Sequence, residues 1–449
     1  MYIKILFCKG LLVAALLFSA GAQAVMQPDP GFGSGGTVLV ETAPTHYDIT
    51  PRLVELGDRR LLAASLLDAP GPTLVVTRRL ADGAADPAFG SAGVSNVVLG
   101  ADSWNAARLV DLLPQADGGA LALVWWGNYV PNGVSTALNA LVRLGPDGNL
   151  APGFNSGAPL LLSDLQTSAA RLLNYGSDVL VFAPVATESS PAVGFRAMRI
   201  RADGTRDPAF GSGGVLSVER AGSVAADWMI LPGGGFQVLY RVLSQPGLSS
   251  ASNLWRRYRA DGSLDTAFGD GGEQALPWLR NRLIEHLIAL PGGYQLGAQI
   301  PCALVLLDSQ GQPVRDFLFC GDDRNFRVQP LGDKLLFSGE DRSFEPPPLS
   351  DGTYLRLMDW SGNVDTGFGS PQSHSWRPPD QPSDSFGVAA DREGRIVLAR
   401  RDDAGLRLFR YLDVRGVPSA APVPALGSAG VGLILLGLVL LAYRCLSPN

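Results

Sequence analysis

The stretch "ADGTRDPAFGSGGV" at 202–215 has near-copies in the same chain: "ADGAADPAFGSAGV" at 81–94, "ADGSLDTAFGDGG" at 260–272 and "WSGNVDTGFGSPQ" at 360–372. This repetition limits the fold more than any other feature. A fixed period marks units that cannot bury their apolar faces alone and must stack on neighbours. Aligning the Phe of each copy gives Phe32, Phe89, Phe154, Phe210, Phe268, Phe317 and Phe368, spaced 49 to 65 residues apart. A turn glycine stands six residues before each Phe except the first: Gly83, Gly148, Gly204, Gly262, Gly311 and Gly362. Gly416 ends the series with no Phe after it. The chain therefore starts on the second half of the motif and stops on the first half.

Two further landmarks recur in every unit. One is a Gly-turned hydrophobic hairpin, such as "LGDRRLLAAS" at 56, "QADGGALALVWW" at 115 and "LPGGGFQVLY" at 231; the other is an apolar strand running into the Asp-Gly turn, such as "TLVVTRRLADG". Short apolar runs fenced by Gly, Pro and Asp read as strands. No window outside the two chain ends sustains a helical period. About four strands per 50–60-residue unit predict an all-β, seven-bladed β-propeller. The recurring Phe is then an inter-blade plug, and the phase offset predicts one blade shared by both ends of the chain, which removes a free sheet edge.

"ADGTRDPAFGSGGV", with its upstream Arg and mid-unit hairpin, resembles the delta-60 repeat of bacterial secreted proteins, whose pattern is close to R-y-n-x-D-G-s-l-D-x-s-F-G-x-x-G. The resemblance spans nearly all of 27–416. It is strong around Phe89, Phe210 and Phe268 and weak around Phe317. It implies a secreted, propeller-like repeat over 25–417 and no particular activity.

Both ends read as addresses. Residues 1–24 have Lys4 and Lys9 in a basic start, an apolar run from Leu11 to Phe18, and Ala22-Gln23-Ala24 as a small-residue cleavage site, the pattern of a secretory signal peptide. After a Pro/Ala linker at 418–424, the uncharged run Ala425–Tyr443 is long enough to span a hydrocarbon core, and 444–449 form a short tail starting at Arg444, expected on the cytoplasmic side. Linker, apolar run and basic residue resemble the PEP-CTERM and IPTL-CTERM sorting tails of Gram-negative envelope proteins. "VPALG" replaces their signature, so a plain membrane anchor stands beside that reading. Either way the expectation is export to the periplasm or cell surface.

Composition narrows the function classes. Hydrophobic content of 46% with 17% charged residues excludes disorder. A net charge of −6 without a basic stripe argues against nucleic acid. Lys4, Lys9 and Lys334 are the only lysines, leaving almost no candidate for a P-loop or a Schiff base. Gly31–Gly36 fits G-x-G-x-x-G, but a strand follows where the dinucleotide motif needs a helix, so it reads as a blade turn. No zincin or nucleophile-elbow motif occurs. No cofactor is expected; the Asp-Gly loops keep calcium as a weak option without D-x-D-x-D-G spacing.

Several residues remain as candidates. Arg78, Arg143, Arg199 and Arg257 stand five before a turn Gly, and Asp86, Asp207, Asp265 and Asp365 three after one; these read as structural ion pairs. The unit around Phe317 has Leu306 and Val314 in those places. His46 and His374 are placed in the loop after the first strand of neighbouring blades, where Asp48 or Asp380 could join them in a metal site; solvated loop histidines are the commoner outcome. His286 reads as a strand residue. In an oxidising compartment Cys302 and Cys320 are a candidate disulfide. The hairpin and Asp-Gly turns are uniform, whereas connections at 41–52, 126–136, 241–253, 338–352 and 369–385 vary. Strand order puts the variable set on one rim, with Trp104, Trp278 and Trp376 in or beside such connections as weak ligand candidates. The reading is a non-catalytic binding or structural module, its partner an envelope protein or glycan. A polysaccharide hydrolase or lyase and a spacer without ligand are the alternatives.

Overall fold

The computed structural model describes residues 26–41, 46–67, 72–99, 106–128, 136–165, 167, 169–187, 190–220, 222–231, 233–242, 252–276, 283–289, 295–300, 303–308, 312–318, 324–331, 334–341, 352–359, 363–368, 387–390, 393–402 and 405–412. The signal peptide, linker and apolar tail expected at the two ends lie outside these residues. No helix among the described residues is long and apolar enough to cross a membrane.

The chain opens with β1 (Gln27–Pro28) and β2 (Thr37–Glu41) and then folds into successive antiparallel meanders. The first is β3 (His46–Glu55), β4 (Leu61–Leu67), β5 (Thr73–Arg79) and β6 (Val94–Val98). The next two are β7 (Ala106–Pro114), β8 (Ala120–Asn128), β9 (Thr136–Leu144) and β10 (Leu160–Leu162), and β11 (Arg171–Tyr175), β12 (Asp178–Thr187), β13 (Ser190–Ile200) and β14 (Val215–Glu219). β15 (Ser223–Ile230), β16 (Phe236–Val242), β17 (Ser252–Tyr258) and β18 (Glu273–Leu276) follow, then β19 (Leu283–Ala289), β20 (Gln295–Ile300), β21 (Ala303–Leu307) and β22 (Pro313–Leu318). β23 (Arg324–Leu331), β24 (Lys334–Asp341) and β25 (Gly352–Asp359) form a three-stranded sheet among the described residues. The last strands, β26 (Gly387–Ala390), β27 (Ile396–Asp402) and β28 (Gly405–Leu412), are completed by β1 and β2, which both pair with β28.

The first strands of these sheets adjoin one another in sequence order, β3 to β7, β11, β15, β19, β23 and β26, and β26 returns to β3. Sheets joined edge-inward in a closed ring make an all-β propeller. Six of its sheets have four or more strands. The shared blade expected from the phase offset is present: Gln27 pairs with Leu412 and Thr37 with Phe409. Covered on both faces by neighbouring blades, β4 and β5 are buried at six successive positions, while outer β6 alternates between buried and exposed. That explains why middle strands read as unbroken apolar runs.

The repeated turn now has a physical account. Phe32, Phe89, Phe154, Phe210, Phe268 and Phe368 are all buried, the first five each just ahead of an outer strand. The residue after each of the first four donates its N–H to the turn Asp carbonyl of the following blade: Gly33 to Asp82 (2.8 Å), Gly90 to Asp147 (2.7 Å), Asn155 to Asp203 (2.9 Å) and Gly211 to Asp261 (2.9 Å). The turn glycine beside that Asp has positive φ and no room for a side chain. A Cβ on Gly148 (φ +80°) would sit 2.7 Å from Gly90 N and 3.1 Å from the Phe89 ring. The Asp-Gly turn of one blade is thus the seat for the Phe-Gly of the blade before it. Phe317 departs from the alignment: it lies within outer strand β22, opposite Leu304, and is not in the position of the other plugs.

Candidate binding face

Strand polarity divides the ring into two faces. In each sheet the connection from first to second strand emerges on one side, the turn face, and where one chain segment links third to fourth strand that turn emerges there too. Connections from second to third strand and from one blade to the next emerge on the other, the loop face. The variable stretches 126–136, 241–253 and 338–352 join second to third strands across the loop face, and 41–52 enters β3 there, with residues 46–52 belonging to that strand and not to a loop; 369–385 lies outside the described residues.

The turn face is stitched shut. Arg78 is buried, lies over the Phe89 ring at 4.6 Å, pairs with buried Asp86 at 2.7 Å, and donates to the Gly118 and Pro146 carbonyls of the next blade. Burial would raise the Asp86 carboxyl, but the Ala88 N–H and the Arg60 and Arg78 guanidiniums hold it below the ordinary carboxylate range. Arg199 pairs with Asp207 at 3.3 Å and with Asp178 at 2.8 Å. Arg257 stacks on Phe268 at 3.8 Å, donates to Gln237 and is favoured by the charge of Asp265, which also faces Arg259 at 3.8 Å. Arg143 pairs with Asp117, and Asp365 with Lys334. The same Arg-Phe-Asp arrangement closes the ring, with Arg410 over Phe32 at 4.4 Å and paired with Asp29 at 2.7 Å. Sequence alignment missed it because Arg410 lies six, not five, residues before Gly416.

A second set of polar contacts links the innermost strands. In β7 and β15 a bulge precedes an aspartate, and each carboxylate accepts an N–H from the next blade: Asp111 from Leu172 (2.9 Å) and Asp227 from Leu287 (2.7 Å). Arg171 of β11 pairs with Asp227 at 3.1 Å, and Arg52 of β3 donates to the Val110 carbonyl within the β7 bulge at 3.1 Å. Burial pushes the Asp227 carboxyl up to about 6 despite Arg171 and the N–H groups of Leu287 and Trp228. The signal was present in the sequence as an Asp within an apolar run seven residues before a turn glycine, in "RLVDLLPQADG" and "AADWMILPGG". His286 of β19 occupies the same register position after a bulge.

One cleft, of about 440 Å³, lies on the turn face between the β3–β4 and β7–β8 hairpins and is lined by Glu55, Asp58, Arg60, Gln115 and Asp117 together with backbone. Arg60 is held there by Asp58 at 2.7 Å and Asp86 at 3.1 Å. Its walls carry no His, Cys, Ser, Thr or Lys; the titratable groups are the carboxylates of Glu55, Asp58 and Asp117 and the Arg60 guanidinium.

Of the residues singled out from sequence, His46 is not in a loop: it is the first residue of β3, with its backbone opposite Leu67. His374, Trp104, Trp278, Trp376, Cys302 and Cys320 lie outside the described residues. No group of three His, Cys, Asp or Glu able to hold a metal occurs among the described residues.

Ring and stitched turns together define a β-propeller. Among solved structures, the chain is similar to propellers of several kinds. BamB from Moraxella catarrhalis matches at 11% identity and TM-score 0.40, covering 84% of this chain and 98% of that one. YCF48 bound to D1 peptide matches at 10% and 0.44, covering 85% and 99%. Chaetomium thermophilum Raptor matches at 12% and 0.44, where 84% of this chain spans only 28% of the other. No protein-family model and no curated protein matches the chain.

Proposed function

We propose that this protein is an exported, non-catalytic binding or scaffold propeller of a bacterial envelope, with the loop face as its binding surface. One observation carries the reading: the turn face is built from repeated, buried, interlocked parts, whereas the variable connections between second and third strands, at 126–136, 241–253 and 338–352, fall on the opposite face. Variation carried by a rigid frame is where recognition usually resides. The β23–β25 sheet counts as a seventh blade in this reading, the delta-60 resemblance describes the repeat, and residues 425–443 act as membrane anchor or sorting tail. The partner is an envelope protein or glycan, engaged without a cofactor.

The test is binding of the purified chain to isolated envelope glycans and envelope proteins, with and without EDTA. A parallel variant has 243–251 and 342–351 replaced by short Gly-Ser turns. Saturable binding, unaffected by EDTA and lost in the variant, is expected. Turnover of a glycan would overturn the non-catalytic reading, and binding retained by the variant would move the site away from these loops.

A further inference from the structure

The two faces differ in their relation to the chain ends. Gln27 of β1 pairs with Leu412 of β28, and Tyr411 pairs with Ile396 just after the β26–β27 hairpin. Both chain ends therefore leave the ring side by side on the turn face, at the outer half of the shared blade. Residues 413–424 separate this exit from the apolar run that begins at Ala425. Fully extended, that spacer reaches at most about 40 Å. The ring wall at the exit is β28, Gly405–Leu412, with 8 residues, roughly 27 Å at the usual strand rise. To lay the loop face on a membrane, the spacer would have to climb the whole wall, spending about two-thirds of its full reach on it, with the variable connections still protruding beyond.

We propose that the propeller hangs from its C-terminal apolar segment with the turn face towards the lipid and the loop face directed away from it. This rests on the reading of 425–443 as an anchor and adds which surface is offered to partners. A partner then approaches from the side opposite the membrane. The stitched turn face, with its cleft between the Gly57 and Gly118 hairpins, lies nearest the anchoring bilayer.

The experiment uses the full chain, purified from membranes and reconstituted into phosphatidylethanolamine–phosphatidylglycerol vesicles carrying a lipid-linked acceptor dye. A donor dye is attached through a bioorthogonal residue replacing either Ser177, exposed in the β11–β12 turn, or Ser249, in the β16–β17 connection. Flotation of the vesicles and the intact mass of the protein are read on the same samples. Co-flotation, with transfer from position 177 exceeding that from 249 by at least about twofold, is expected for a separation on the scale of a strand length. Co-flotation with equal or reversed transfer overturns the orientation while leaving the anchor intact. Failure to float, or a mass ending near residue 424, overturns the anchor reading and the orientation with it.

Discussion

Asp227 shows how one side chain can join three blades. Its carboxylate is buried, faces Arg171 from the blade before and accepts the Leu287 N–H from the blade after. Burial outweighs those partners and lifts its pKa to about 6, above an unfolded value near 3.8. The folded protein thus holds this proton at a pH where the unfolded chain has released it. The linked contribution is least favourable above pH 6 and improves as pH falls from about 6 towards 3.8. Asp227→Asn removes the titration. Its stability relative to the parent is expected to be better at pH 7.5 than at pH 4.5, by on the order of 2 kcal/mol. Urea unfolding at the two pH values measures the difference; a pH-independent difference would show that Asp227 titrates normally. Neither this aspartate nor Asp111 stood out in sequence, because an Asp in an apolar run gives no hint of which N–H it will meet across a blade boundary.

At the level of the element, the Asp-Gly turn is a seat rather than a mere reversal of direction. Its glycine needs the left-handed region and also gives room to the previous blade's backbone. Two substitutions separate these demands. Gly176, in the β11–β12 hairpin, has φ +67° and open space where a methyl would sit, so Gly176→Ala costs about 1 kcal/mol from backbone strain alone. Gly148→Ala meets the same strain and in addition places its methyl 2.7 Å from Gly90 N. It is expected to cost well over 2 kcal/mol, or to prevent folding. Chemical denaturation of both variants tests this, and equal costs would mean that the seat yields freely. The recurrence of Asp-Gly and Phe-Gly was plain in the sequence, as was the burial of Phe. That the Gly of one repeat touches the Phe of the one before became visible only when the blades were side by side.

For the molecule as a whole, closure depends on contacts between residues that are almost the full chain apart. Arg410 and Asp29 are both buried, and their pair joins the last three-strand segment to the first strands. Arg410 also donates to the Ala81 carbonyl, reaching the next blade. Arg410→Met leaves Asp29 buried without its cation and is expected to cost about 3–5 kcal/mol. Arg199→Met, at a more exposed pair, costs about 1 kcal/mol or less. Differential scanning calorimetry of the two variants distinguishes them; similar losses would show that the closing pair has no special weight.

Sequence alone determined the all-β repeat architecture, the phase offset that shares a blade between the chain ends, and the buried Phe of six of the seven motifs. These follow from periodicity, turn chemistry and apolar runs, all of which are local. It also placed the connections at 126–136, 241–253 and 338–352 together, because antiparallel strand order fixes which loops share a side. Tertiary structure alone decided which Arg meets which Asp, as at Arg143, whose partner is Asp117, and at Asp365, whose partner is Lys334. It also moved Phe317 out of the plug position, took His46 from a loop into β3, and brought the inner-strand aspartates onto their neighbours' N–H groups. The physical reason is the same in each case. A repeat specifies its own blade, but the contacts between blades depend on bulges and closure that no single repeat contains.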